Sequence, residues 1–226
     1  MATNENNQEQ NAIDALDFQL TAAGQRVASN KKIIYWCIAI VVICAAAGAA
    51  WYWGYILPTN KNSWKAYNQV EVQAANDSIA SAEYAKVADK YGRSDAGNLA
   101  ALQAALSYYN LKKYDETIKY LKKFSTKEDV MQAHADMLMG DAYVNLKKYD
   151  EAIAAYNSAL RISSGNEQIA PAILWKQANV YDAQKKYKEA LGCFKQIKQA
   201  FPNFRFGNGM SVDAYIAREE ARIGQK

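Results

Sequence analysis

Few side chains in this chain are equipped for chemistry. His134 is its single histidine, so a metal site, a Ser–His pair or an imidazole base would have to run through that one residue. The carboxylate pairs Asp115-Glu116 and Asp150-Glu151 are adjacent in sequence. Neighbours on a helix point about 100° apart, so these pairs read as solvated helix starts rather than an acid/base couple. Asp129, Asp136 and Asp141 lack the regular loop spacing of calcium ligands. Cys37 and Cys44 lie in an apolar run and Cys193 lies far from both, with no CxxC or Cys/His spacing. Neither zinc nor a disulfide framework is indicated. There is no glycine-rich phosphate loop, and Asn76-Asp77-Ser78 fits a glycosylation sequon of a kind common by chance. The expectation is a protein that is not an enzyme, carries no cofactor or metal, and works through its surfaces.

Charge narrows the partners. Lys+Arg 27 against Asp+Glu 23 gives a net charge of +4, too small and too mixed for nucleic acid, which needs a clustered basic face. The pairs Lys112-Lys113, Lys147-Lys148 and Lys185-Lys186 fall at one recurring point of a repeat and read as a solvated turn.

That repeat organises the chain. Asn110-Leu111-Lys112-Lys113-Tyr114-Asp115-Glu116-Thr117-Ile118 returns as Asn145-Leu146-Lys147-Lys148-Tyr149-Asp150-Glu151-Ala152-Ile153, and more loosely as Gln184-Lys185-Lys186-Tyr187-Lys188-Glu189-Ala190-Leu191. Thr117, Ala152 and Ala190 hold equivalent places, and the second interval is slightly longer than the first. Such a period marks an array of helical hairpins. Each unit predicts two amphipathic helices joined by the Lys-Lys-Tyr turn. Gly140, Ala152 and Ala159 allow close helix approach, while Tyr143, Tyr149 and Tyr156 fill the space beside them. Asp150 and Glu151 place carboxylates in the first turn of the second helix, where the helix dipole favours them.

Upstream, the run Ile33–Leu57 contains no charged side chain. As a helix it would extend about 37 Å, enough for a hydrocarbon core of about 30 Å. Tyr35 and Trp36 stand near one end and Trp51, Tyr52, Trp53 and Tyr55 at the other, the aromatic belt of a bilayer span. Pro58 is expected to end the helix. The segment before the run carries Glu5, Glu9, Asp14 and Asp17, and the run continues past its small residues into aromatics. An uncleaved anchor is therefore expected rather than a signal peptide. Arg26, Lys31 and Lys32 before the span outnumber Lys61 and Lys65 after it, which favours a cytoplasmic N-terminus and a C-terminal domain outside.

The motif Gly/Ala-x-x-Tyr, then Tyr-x-x-Ala-x-x-x-(Tyr/Phe)-x-x-Ala, recurring three times, resembles the tetratricopeptide repeat family. Thr117 replaces the alanine, Leu121 the aromatic, and Phe124 and Ile197 the last small residue, while Ala101, Asp136 and Leu174 stand where the family has tryptophan. A single anchor followed by such an array is similar to the YfgM-type family of bacterial inner-membrane proteins. The stretch Ala82–Leu121 carries this resemblance together with the layout.

The fold class expected is all-α: one transmembrane helix, then a tetratricopeptide-like helical-hairpin solenoid. The expected division is a flexible cytoplasmic tail (1–32), the transmembrane helix (33–57) and a repeat domain (58–226). The last comprises a degenerate repeat (63–92), three repeats (96–127, 131–163, 170–202) and a capping helix (210–224). The resemblance implies a non-catalytic role ancillary to the secretory translocon. Its partners would be translocon subunits, periplasmic chaperones or unfolded envelope proteins, with residues 33–57 contacting the lipid bilayer. The implied location is the bacterial inner membrane, single-pass, N-terminus cytoplasmic and repeat domain periplasmic.

On repeat numbering the first helix of each hairpin lines the groove. It supplies Leu99, Leu102, Leu106 and Tyr109 from the first repeat, His134, Met137 and Asp141 from the second, and Trp175, Asn179 and Asp182 from the third. Repeats that clamp a terminal carboxylate put Lys, Arg and Asn there. Leu102, Leu106, Met137 and Trp175 instead suit an amphipathic helix or an unfolded apolar segment. Two other roles fit the same layout: a regulator coupling a cytoplasmic partner to envelope state, and a structural subunit of an envelope machine.

Overall fold

The computed structural model describes residues 31–207 and 209–224, and every regular element among them is helical. The expected cytoplasmic tail lies outside the described residues except for Lys31 and Lys32. The chain divides into two compact units, Met1–Pro58 and Thr59–Lys226.

In the first unit, α1 (Lys31–Trp51) is followed by a π-helical turn, Tyr52–Ile56. Helix α2 (Leu57–Gln73) then begins with Pro58 in its first turn. The helix stop expected at Pro58 does not occur. A proline inside an α-helix removes a donor and clashes with the carbonyl four residues back. The wider π turn, in which the Leu57 N–H donates to the Tyr52 carbonyl, carries the helical path up to the proline. The helical run Tyr35–Gln73 is the one among the described residues long and apolar enough to cross a membrane, and none of its apolar window is buried.

The second unit takes in α2 from Thr59 onward and then stacks helices in chain order: α3 (Asp77–Tyr91), α4 (Asp95–Asn110), α5 (Tyr114–Leu121), α6 (Asp129–Asn145), α7 (Tyr149–Ser163), α8 (Ile169–Ala183), α9 (Tyr187–Ala200) and α10 (Val212–Gly224). Consecutive helices from α3 onward pack against each other. Caps start several of them. The Asn76 side chain accepts from the Ile79 N–H (3.1 Å), and Ser94 Oγ accepts from the Gly97 N–H (3.1 Å). The asparagine of the apparent sequon is thus the cap of α3.

The three Lys-Lys-Tyr turns share one bonding pattern. Lys112, Lys147 and Lys185 each have φ 59°. In each, the next lysine's N–H reaches back to a tyrosine carbonyl: Lys113 to Tyr108, Lys148 to Tyr143 and Lys186 to Tyr181, all at 2.9 Å. This is the Schellman helix end, whose left-handed residue is normally glycine. A lysine there carries backbone strain on the order of 1 kcal/mol. Lys147→Gly is expected to raise stability by about 0.5–1 kcal/mol, read as a shift of about 2–4 °C per kcal/mol in thermal melting. A melting temperature that falls would show that the lysine side chain contributes more than the strain it brings.

The core runs along the seam between first and second helices. Ala96, Ala100, Ala104 and Ala105 of α4, Ala133 and Ala142 of α6, Ala152 and Ala159 of α7 and Ala178 of α8 are all fully buried. These small side chains bring backbones together, and large ones fill the remaining space: Tyr156, Phe194, Ile173 and Leu174 are at most 1 % exposed. Helices α6 and α7 approach closely at Gly140, where a Cβ would lie 2.4 Å from the Tyr156 ring. At the C-terminal end, Tyr215 of α10 stacks on Phe194 with ring centroids 4.9 Å apart, which covers the last apolar face of the array.

Candidate functional site

Five of the residues expected in the groove line one trough. Leu102 and Leu106 of α4 face His134, Met137 and Asp141 of α6, with Met131, Ala135 and Leu138 completing the lining of a cavity of about 250 Å³. The trough exists because the first helices of successive hairpins lie on the same side of the stack, and the repeat period presents the same helix face from each. Its surface is mainly apolar, and Leu106 and Met131 are 40 % and 41 % exposed. Leucine and methionine are thus left partly open to solvent side by side on facing helices.

Asp141 is the one carboxylate in this lining, and it is already engaged. Tyr156 Oη donates to it at 2.6 Å, and Lys176 Nζ donates to both carboxylate oxygens at 2.9 Å. Three helices, α6, α7 and α8, meet at this group. Burial and the neighbouring Asp141 carboxylate push the Tyr156 phenol far above its ordinary range, so it is a permanent donor here. Asp141 therefore joins two repeats, and its charge is balanced by Lys176 instead of projecting into the trough. Tyr156→Phe removes one hydrogen bond to a charged acceptor and is expected to lose about 1.5–3 kcal/mol, measured by urea unfolding. An unchanged midpoint would mean that Lys176 alone satisfies the carboxylate.

The remaining groove candidates sit elsewhere. Leu99 is half-buried and packs on the core formed by α3, α4 and α5. Tyr109 is half-buried, edge-to-face with Tyr114 at 5.6 Å, and burial raises its phenol pKa. Asn179 is exposed on α8. Trp175 faces its own chain: its ring lies 5.9 Å from Phe206, and Phe204 and Val212 belong to the same cluster. Asp182 is held by Arg222 and Arg218 of α10. At the third repeat, then, the segment after α9 and the capping helix occupy positions that are open between the first and second. The groove positions read from sequence omit Met131, Ala135 and Leu138. Extending the α6 face one turn back from His134 finds Met131, and one residue along from His134 and from Met137 finds Ala135 and Leu138.

The site offers little for catalysis. His134 is exposed on α6 and makes no hydrogen bond or ion pair among the described residues. No group of three or more His, Cys, Asp or Glu side chains among those residues is placed to hold a metal. Cys193 is buried, and burial pushes its thiol up to about 11, which makes it a poor nucleophile near neutral pH.

Residues 131–203 match the tetratricopeptide repeat family model, and residues 75–159 match a model described as anaphase-promoting complex, cyclosome, subunit 3. The chain is 27% identical over 183 residues to an ancillary SecYEG translocon subunit of Neisseria gonorrhoeae, covering 76% of this chain and 83% of that protein. Among solved structures it resembles MamA, with TM-score 0.52, 16% identity and coverage of 74% of this chain and 88% of that one. It also resembles the apo form of RapI, with TM-score 0.58, 15% identity and coverage of 73% and 65%. At these identities the solved structures show the fold alone. Recurrent spacing, three matching helix ends, the stacked hairpins and the matched models agree on one fold: a solenoid of helical hairpins of the tetratricopeptide type, with residues 131–203 matching that family's model.

Proposed function

We propose that the chain is a membrane-anchored interaction scaffold whose trough between α4 and α6 receives an apolar segment of another polypeptide, at or near the secretory translocon. The observation that carries this is the trough itself: solvent-exposed Leu106 and Met131 beside Leu102, Met137 and Leu138. Apolar anchors at helical spacing in an open channel are the means by which helix-in-groove recognition works. The similarity to an ancillary translocon subunit along most of the chain supports the choice of partner class. The uncharged run 33–57 with aromatics at both ends supports anchoring in the inner membrane, and the lysine and arginine excess before it supports a periplasmic repeat domain. The clients on this reading are translocon subunits, periplasmic chaperones or unfolded envelope proteins.

The test is a double substitution, Leu102→Asp with Leu106→Asp, made in the full chain. Both side chains reach the trough; Leu106 is exposed, and Leu102 is partly buried and also packs on the core beside α4. Loss of co-purifying translocon or envelope proteins, with helicity unchanged by circular dichroism, is the expected result. An undiminished set of co-purifying proteins would overturn the proposal.

A further inference from the structure

The chain has five methionines and one histidine, and α6 carries three of the methionines and the histidine. Met131, His134 and Met137 line the same cavity. They follow one another at steps of three positions, so each side chain is the surface neighbour of the next, with Cβ atoms about 5–6 Å apart. Methionine has three rotatable bonds and a polarisable thioether, so the two sulfurs one step before and one step after His134 can swing towards its ring. The imidazole is exposed and makes no hydrogen bond or ion pair among the described residues. Leu102 and Leu106 line the same space.

We propose that Met131, His134 and Met137 bind a soft monovalent cation, Cu(I) or Ag(I). Two thioethers and one neutral imidazole form a donor set selective for such ions. Thioether sulfur is a soft ligand, matched to Cu(I) and poorly matched to Mg²⁺ or Ca²⁺. Zn²⁺ takes Cys, His and carboxylate ligands, usually four of them, and here finds one imidazole. The leucines beside the three donors offer no charged ligand to the ion, which suits a cation of low charge. Binding is coordination by neutral donors: no covalent bond is made or broken and no electron is transferred. The assignment does not rest on the polypeptide reading, although it uses the same trough.

The experiment uses the full chain in detergent with Cys37, Cys44 and Cys193 replaced by alanine, because thiolates would compete. Cu(I) is supplied anaerobically against a chromophoric chelator, and Ag(I) is titrated while the His134 ring resonances are followed by NMR. One equivalent retained against the chelator and a shift of the ring resonances are expected. Met131→Leu with Met137→Leu, a volume-conserving change, should weaken retention at least about tenfold with helicity intact, and His134→Ala should do the same. Should the double variant lose helicity, Met131→Leu alone, at a side chain already 41 % exposed, gives the same reading. No retention in the parent chain, retention unaffected by the leucine substitutions, or ring resonances that do not move would each overturn the assignment. Polypeptide capture is read separately, by co-purification, so failure here leaves that reading standing.

Discussion

Gly140→Ala is expected to destabilise the repeat domain by about 3 kcal/mol or more, lowering its melting temperature by roughly 6–12 °C. A methyl group at this position would meet Cε1, Cδ1 and Cζ of the Tyr156 ring at 2.4, 2.6 and 2.9 Å. The ring cannot retreat. It is 1 % exposed, and its hydroxyl is tied to Asp141 at 2.6 Å, which is tied in turn to Lys176. Relief must come from separating α6 from α7, or from breaking the bond between repeats. Helix propensity acts in the opposite direction, since alanine is about 1 kcal/mol better than glycine in a helix interior. The sign of the result therefore decides which effect dominates. Gly192 supplies the control: it lies inside α9, where an added methyl group would find nothing within 4 Å, so Gly192→Ala should stabilise by up to about 1 kcal/mol. If both substitutions stabilise, small-against-aromatic packing is not what joins α6 to α7.

Gly97→Ala should be at least as damaging, for a different reason. Here the added methyl would meet main chain: the Tyr91 carbonyl oxygen at 1.9 Å, its carbon at 2.3 Å and the Gly92 nitrogen at 2.9 Å. No rotamer change removes a backbone clash. The first turn of α4 would have to leave the end of α3, and with it the Ser94 cap, which accepts from the Gly97 N–H at 3.1 Å and donates to the Tyr91 carbonyl at 2.8 Å. Loss of a cap costs about 1 kcal/mol and forced backbone displacement about 1–3 kcal/mol or more. A drop in urea midpoint matching about 3 kcal/mol is expected from these two contributions together. A midpoint matching that of the parent, as a neutral surface change would give, would show that α3 and α4 separate readily.

Much of this could be read from residue order, because the period forces equivalent side chains into equivalent places. The three Lys-Lys-Tyr turns, the hairpins on either side of them, and the pairing of Gly140 with aromatic residues all follow from a pattern repeated in one chain. The open part of the trough is legible for the same reason: Leu102 and Leu106 predict Met137 and Asp141 one repeat later. What escapes is aperiodic. Nothing local to Trp175 or Asp182 signals that Phe206 and Arg222 will reach them, since those partners lie in segments outside the repeat. The π turn escapes because the usual effect of Pro58 is to end a helix, and its accommodation depends on the backbone before it. Read locally, Gly97 is one small residue at the start of the first repeat, and only the geometry of the α3–α4 turn shows that its missing side chain is required.

The proposed role stands on the trough between the first and second repeats being open to another polypeptide. Site-specific photocrosslinking in native membranes tests this most directly, with the probe at Leu106 in the trough, at Ala154 on the exposed side of α7, or at Trp175 beside Phe206. Adducts to translocon or envelope proteins from position 106, and few or none from positions 154 and 175, are the result predicted. Equal adducts from all three positions, or none from position 106, would contradict it.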